Sequence, residues 1–198
     1  MLSRGPPGPL ENPLALFQYS QEQSFLGAVD LQCFKTCMRE GNALPPEMRL
    51  HINLFPSTLI ETPLPQLLAL FPPDYAPHRY CIEINEQQFI GDPSLLLGSV
   101  DALKSAGIRV GMDDVGFGKS SLESLVVLEP DIVKIDRKCI DGIAQDAGLF
   151  RQLKRLVGVA HGLGAELIAE GVDSREDVDV LRALDIPYAQ GFLWGQPF

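Results

Sequence analysis

Six apolar runs in this chain turn polar at their carboxyl ends, and the residues found there are the ones able to do chemistry. Asn53 lies in "HINLF", Glu83 and Glu86 in "CIEINE", Asp113 and Asp114 in "GMDDV", Lys134 and Asp136 in "VKID", Glu170 in "IAEGV" and Gln190 in "AQGF". A polar group in an otherwise buried strand costs on the order of several kcal/mol unless it is paired, so recurrence on six runs points to a shared purpose. Carboxylates and amides with no histidine or cysteine among them form an oxygen-rich site for hard cations, Mg2+ or Mn2+. Two such ions suit phosphoryl transfer, one activating water and both neutralising phosphate charge. Lys134 adds a fixed positive charge able to hold the attacking water or a phosphate oxygen.

These groups act together only if the fold gathers the strand ends. "NPLALFQYSQEQ" and "GAVDLQCFKTCMREG" read as helices, the second ending at Gly41. Strand "RLHINLF" follows, and its successor "PSTLIETPLPQLLALF" is helical or partly irregular because of its prolines. Strand "RYCIEINE" leads to helix "PSLLLGSVDALKSAG", closing at Gly107, then to strand "RVGMDDV" and the short helix "SSLESLVVLEP". Strand "IVKID", helix "AGLFRQLKRLVGVAHGLG", strand "ELIAEGV", helix "SREDVDVLRALD" and strand "YAQGFLWG" complete the series.

Such alternation implies an α/β fold with a parallel sheet covered by helices, either doubly wound or a barrel. In a barrel the carboxyl ends of all strands meet on one face, where such folds carry their active sites. The intervals between positions 53, 83, 113, 134, 170 and 190 each fit one strand-helix unit. Asp113 and Asp114 cannot both face inward from a regular strand, but at a strand end they can serve two ions from one turn. The Gly- and Ser-rich "DDVGFGKSSL" beside them suits a mobile loop over a ligand.

Composition agrees with one globular domain over residues 1–198: 45% of residues are hydrophobic and the mean hydropathy is +0.07. A net charge of −10 argues against a nucleic-acid polymer as partner. No run is long enough for a membrane span and the start lacks a signal-peptide pattern, so a cytoplasmic location is expected. Cys33, Cys37, Cys81 and Cys139 are too scattered for a disulfide scaffold and read as buried thiols. His51, His78 and His161 are isolated in the sequence and read as structural or surface residues.

The motifs "NLFPSTL", "EINE", "DDVGFGKSSL", "DIVKID", "AEGV" and "QGFLWGQP" closely resemble, in order and spacing, the EAL-domain family of cyclic di-GMP phosphodiesterases. The resemblance implies a modified TIM barrel in which two Mg2+ or Mn2+ ions activate water to open cyclic di-GMP to linear pGpG. It further implies Asn53, Glu83 and Asp113 as ligands of the first metal and Asp113 and Asp114 as ligands of the second or bridging site. Lys134 and Glu170 resemble the pair that positions and deprotonates the water. Glu86 resembles the glutamate that anchors the loop after Asp114, Gln190 the residue near the water, and Arg4 a contact to a ligand phosphate. Asp136 has a structural or a functional role. Val115, Phe117, Lys119, Asn85 and Asp173 stand where the family more often has other residues.

Leu2-Ser3-Arg4-Gly5 resembles the tail of the family's Glu-Ala-Leu motif, with Met1 at the alanine position and the glutamate before the first residue. With six strands counted where a TIM barrel has eight, an incomplete, N-terminally shortened EAL domain is expected. Two functions fit: a phosphodiesterase, or a catalytically impaired EAL-like module that binds cyclic di-GMP or a protein partner. Sensory or GGDEF domains in a parent chain and a homodimer are the further partners that the resemblance implies.

Overall fold

The computed structural model describes residues 4–85, 88 and 91–195, and the expected alternation of helices and strands runs through them. Two units are distinguished: Met1–Ile84 with Leu95–Val110, and Asn85–Ser94 with Gly111–Phe198. No helix among the described residues is long and apolar enough to cross a membrane.

In the first unit, α1 (Pro13–Glu22) starts where Asn12 accepts from the Leu14 N–H at 2.8 Å, with Pro13 in the first turn. α2 (Leu26–Gly41) ends at the glycine expected to stop it and buries Phe34, Cys37 and Met38, whereas Cys33 is only half-buried. β1 (Leu50–Asn53) is followed by two short helices, α3 (Pro56–Glu61) and α4 (Leu64–Leu68), each with a proline in its first turn. The proline-rich stretch thus forms two helices rather than one, because a proline can begin a helix but not continue it. Asp30 on α2 accepts from the Phe55 N–H at 2.9 Å and so fixes the turn that follows Asn53; burial pushes its carboxyl up to about 6.

β2 (Tyr80–Asn85) pairs in parallel with β1, from Leu50 opposite Tyr80 to Asn53 opposite Glu83. Its residues from Tyr80 to Ile84 are all buried, as a parallel strand covered on both faces requires. α5 (Leu97–Ser105) then ends at Gly107, whose φ of +76° lets the Ile108 N–H return to the Leu103 carbonyl at 3.0 Å. The chain leaves this unit along β3 (Arg109–Val115).

From Gly111 onward, β3 belongs to the second unit, with α6 (Lys119–Leu128), β4 (Ile132–Ile135), α7 (Ala147–Gly162), β5 (Glu166–Ala169), α8 (Arg175–Ala183) and β6 (Tyr188–Ala189). β3 pairs with β4, β4 with β5 and β5 with β6, all in parallel. α7 buries Leu153, Leu156, Val157 and Ala160, a stripe at helical spacing, and is capped by Asp146, which accepts from Gly148 and Leu149. Ser174 and Asp177 cap α8 reciprocally, the Asp177 N–H donating to Ser174 Oγ and the Ser174 hydroxyl to Asp177 Oδ2.

One local reading differs from expectation. "YAQGFLWG" is a strand only over Tyr188–Ala189 and then turns into a 3-10 helix over Phe192–Trp194. Its cause is the Asp173 carboxylate, which accepts from the Phe192 N–H at 3.1 Å and pulls the backbone out of the ladder. After β4, Asp136 caps another 3-10 turn, Arg137–Cys139, by accepting from the Lys138 N–H at 2.8 Å, so its role is structural at that point.

Candidate functional site

Between Met112 and Val115 the register of β3 against β4 slips: three steps on β3 span the two steps from Val133 to Ile135. This is a β-bulge, and the extra residue breaks the rule that neighbouring side chains face opposite ways. Asp114 sits there with φ of +56°, in the left-handed region. Both aspartates consequently turn toward the same place: oxygens of Asp113, Asp114 and Glu170 lie within 4.8 Å of one another.

Lys134 projects from the end of β4 into this group. Its Nζ lies 2.8 Å from Asp113 Oδ1 and 2.8 Å from Glu170 Oε1, and its side chain is only 9% exposed. The ammonium offsets part of the charge, but burial and the Asp113 carboxylate still push Glu170 up to about 7. Burial also raises Asp114, opposed by a hydrogen bond from Asn85, whose Nδ2 donates to Asp114 Oδ2 at 2.6 Å.

Gln190 donates from Nε2 to Glu170 Oε1 at 2.5 Å, so one oxygen of this carboxylate receives both the lysine and the amide. The backbone behind them is tied: Gln190 N–H donates to the Ala169 carbonyl and Val172 N–H to the Gln190 carbonyl. Gly191 lies so close to Val172 that an added Cβ would stand 2.1 Å from the Val172 oxygen. Arg137 and Asp173, paired at 2.7 Å, brace the same turn.

In the first unit, Asn53 and Glu83 are register partners at the ends of β1 and β2, so their side chains share a face. Glu83 is 4% exposed, and its Oε1 lies 2.9 Å from His51 Nδ1. His51 is therefore not an isolated histidine; it reaches a carboxylate 32 positions away. Arg4 is exposed ahead of α1, and Glu86 lies outside the described residues.

Three residues near these groups had no functional reading from sequence. His51 carried a usable signal, since it precedes Asn53 by two positions and shares its face of the strand. Asn85 stood out only as a departure from the family pattern. Arg137 had none, because its partner Asp173 comes from a different loop.

The oxygen-only donor set of Asp113, Asp114 and Glu170 fits a hard divalent cation; a softer metal would call for sulfur or imidazole ligands. Cys139 is not part of this group, and burial pushes its thiol up to about 12.

The EAL domain model of protein families matches residues 3–197. Among curated relatives, an uncharacterized signaling protein of Caulobacter vibrioides is 28% identical over 93% of this chain and 23% of its own length. The cyclic di-GMP phosphodiesterase PdeA of Borreliella burgdorferi is 28% identical over 92% of this chain and 28% of its own length. The chain thus spans under a third of either relative. Among solved structures, Klebsiella pneumoniae BlrP1 in a calcium and cyclic di-GMP complex superposes with a TM-score of 0.82 at 26% identity, covering 93% of this chain and 48% of that one. The Xanthomonas citri FimX EAL domain in complex with cyclic di-GMP has a TM-score of 0.80 at 17% identity over 95% of this chain and 76% of that one, a likeness of fold. The α/β, TIM-barrel-like class expected from the sequence is the class of these neighbours.

Proposed function

This chain belongs to the EAL domain family, and on that premise we propose that it forms a single EAL-like domain hydrolysing cyclic di-GMP to linear pGpG with two Mg2+ or Mn2+ ions. The observation that carries the reading is Lys134 held between Asp113 and Glu170 beside Asp114. A purely structural ion pair needs one carboxylate per lysine; three gathered carboxylates around one ammonium leave negative charge that a divalent cation would complete.

Asn53 and Glu83 in the first unit, and Asp113 and Asp114 in the second, are the ligands assigned to the ions. When bound, the ions supply the charge that polarises the attacking water and neutralises the phosphodiester. Glu170 takes a proton from water, and its carboxyl, raised to about 7, suits a base working near neutral pH. Lys134 and Gln190 donate to Glu170 Oε1 and hold the plane of that carboxylate against the attack line. Arg4 is assigned to a ligand phosphate and Glu86 to anchoring the loop after Asp114. A homodimer, sensory or GGDEF domains in a longer chain, and a cytoplasmic setting belong to the same reading. The relatives named for cyclic di-GMP hydrolysis or crystallised with cyclic di-GMP support it.

The test is incubation of the purified chain with cyclic di-GMP in Mg2+ or Mn2+, with products separated by chromatography. Linear pGpG is expected, lost on chelation and lost in Glu170→Gln, which still binds cyclic di-GMP. Turnover surviving in Glu170→Gln would remove the assigned base.

A further inference from the structure

His51 and Glu83 form a contact that the reaction assigned above does not use. The two residues come from neighbouring parallel strands: Asn53 is opposite Glu83 in register, and His51 lies two positions before Asn53, so all three share one face. Glu83 is flanked along β2 by Ile82 and Ile84, both essentially buried, and is itself 4% exposed. A carboxylate in such surroundings is costly unless a donor meets it. His51, with its side chain 25% exposed, supplies that donor across 2.9 Å. As a metal ligand Glu83 is ionised and can only accept, which requires the tautomer of His51 that carries its hydrogen on Nδ1.

We infer that His51 is a positioning residue for Glu83, fixing through Oε1 the plane in which this carboxylate meets a divalent cation. The inference rests on the proposed function for one point, that Glu83 is a metal ligand. A glutamate reaches a cation from a three-torsion side chain, and an unpinned carboxyl group spreads over many orientations, most of them unproductive. A hydrogen bond to one oxygen removes that freedom and keeps further acceptor capacity on the group. Outer-shell donors of this kind typically change metal affinity by about 10- to 100-fold. The converse arrangement, imidazole as the ligand and carboxylate as its support, does not fit the burial: Glu83 is the deeper group and shares register with Asn53.

The test is Mn2+ titration of the whole chain followed by electron paramagnetic resonance, alongside hydrolysis at saturating Mn2+. His51→Ala is expected to weaken Mn2+ binding about 10- to 100-fold while kcat at saturating metal changes little. His51→Asn, whose amide nitrogen falls close to the position of Nδ1, is expected to restore affinity to within about threefold of the parent. His51→Leu keeps most of the ring's volume without a donor, and stands in should His51→Ala fail to fold. Unchanged Mn2+ affinity in the donor-free variants, or His51→Asn behaving like them, would overturn the inference. Glu83→Gln is titrated in parallel: if it loses Mn2+ and His51→Ala does not, the positioning role alone fails. If Glu83→Gln binds Mn2+ normally, the assignment of Glu83 as a ligand fails first and the role of His51 falls with it.

Discussion

Lys134 Nζ stands 2.8 Å from Glu170 Oε1 and reaches Asp113 at the same distance. The ammonium therefore bridges two carboxylates and offsets one unit of their charge, while a third, Asp114, lies within their reach. Removing it would leave the acidic group mutually repelling in a partly desolvated place.

Lys134→Met is accordingly expected to lower unfolding stability by about 3 kcal/mol at pH 8 in chelator. The loss should be smaller at pH 5, where Glu170 is protonated and one negative charge is gone. Urea unfolding at the two pH values measures both; equal losses would mean that the charge on Glu170 plays no part in the effect of the lysine.

The raised carboxyl of Glu170 fixes the sign of a pH effect. Its folded value of about 7 exceeds its ordinary 4.5, so between these values the native state holds a proton that the unfolded chain has released. This contribution is fully present below pH 4.5 and is lost as pH rises through about 7, an effect of roughly 1–3 kcal/mol. Urea unfolding in chelator across pH 5 to 8 should show the decline, and Glu170→Gln should flatten it.

Asn85 donates to Asp114 across 2.6 Å. Asn85→Ala leaves this bulged aspartate without that donor and should cost about 1.5–3 kcal/mol, the range for a hydrogen bond to a charged group. Asp114 would then titrate higher still, since the asparagine is the largest of the effects that oppose burial, ahead of Lys134. Carbon-13 NMR of the aspartate carboxyls follows the shift; an unmoved resonance would show that Asp114 finds another donor.

Gly191 has an extended backbone that any residue can adopt, so its constraint is space and not conformation. Gly191→Ala would drive a methyl group into the Val172 main chain. A stability loss of about 1–3 kcal/mol is expected, together with loss of cyclic di-GMP turnover, because the bond that ties Gln190 to Val172 must open. Thermal unfolding and product analysis check the pair; full activity would show that Gln190 needs no such bracing.

Where polar residues interrupt apolar runs, the sequence was informative, and the strand ends carrying Asn53, Glu83, Asp113, Lys134 and Glu170 are found in β1 to β5 or immediately after them. Helix stops at Gly41 and Gly107 were legible for the same local reason. Contacts between distant segments were not. The His51–Glu83 pair depends on strand register, and the shortening of β6 depends on Asp173, which approaches Phe192 from another loop. The spacing of His51 from Asn53 marks the face it shares but not its partner, and nothing in the segment of β6 marks the approach of Asp173.

The bulge at Asp113 and Asp114 is a shift of phase. Upstream of it, one parity of residue number faces the acidic group; downstream, the other parity does. Counted along the strand, one of the two aspartates is supernumerary, and the pairing of β3 with β4 could continue without it. A second acidic side chain has therefore been gained by adding a residue to the backbone, with no existing position given up. Loss of that one residue would return the strand to regular alternation, its sheet pairing intact, and leave a single aspartate where there are now two.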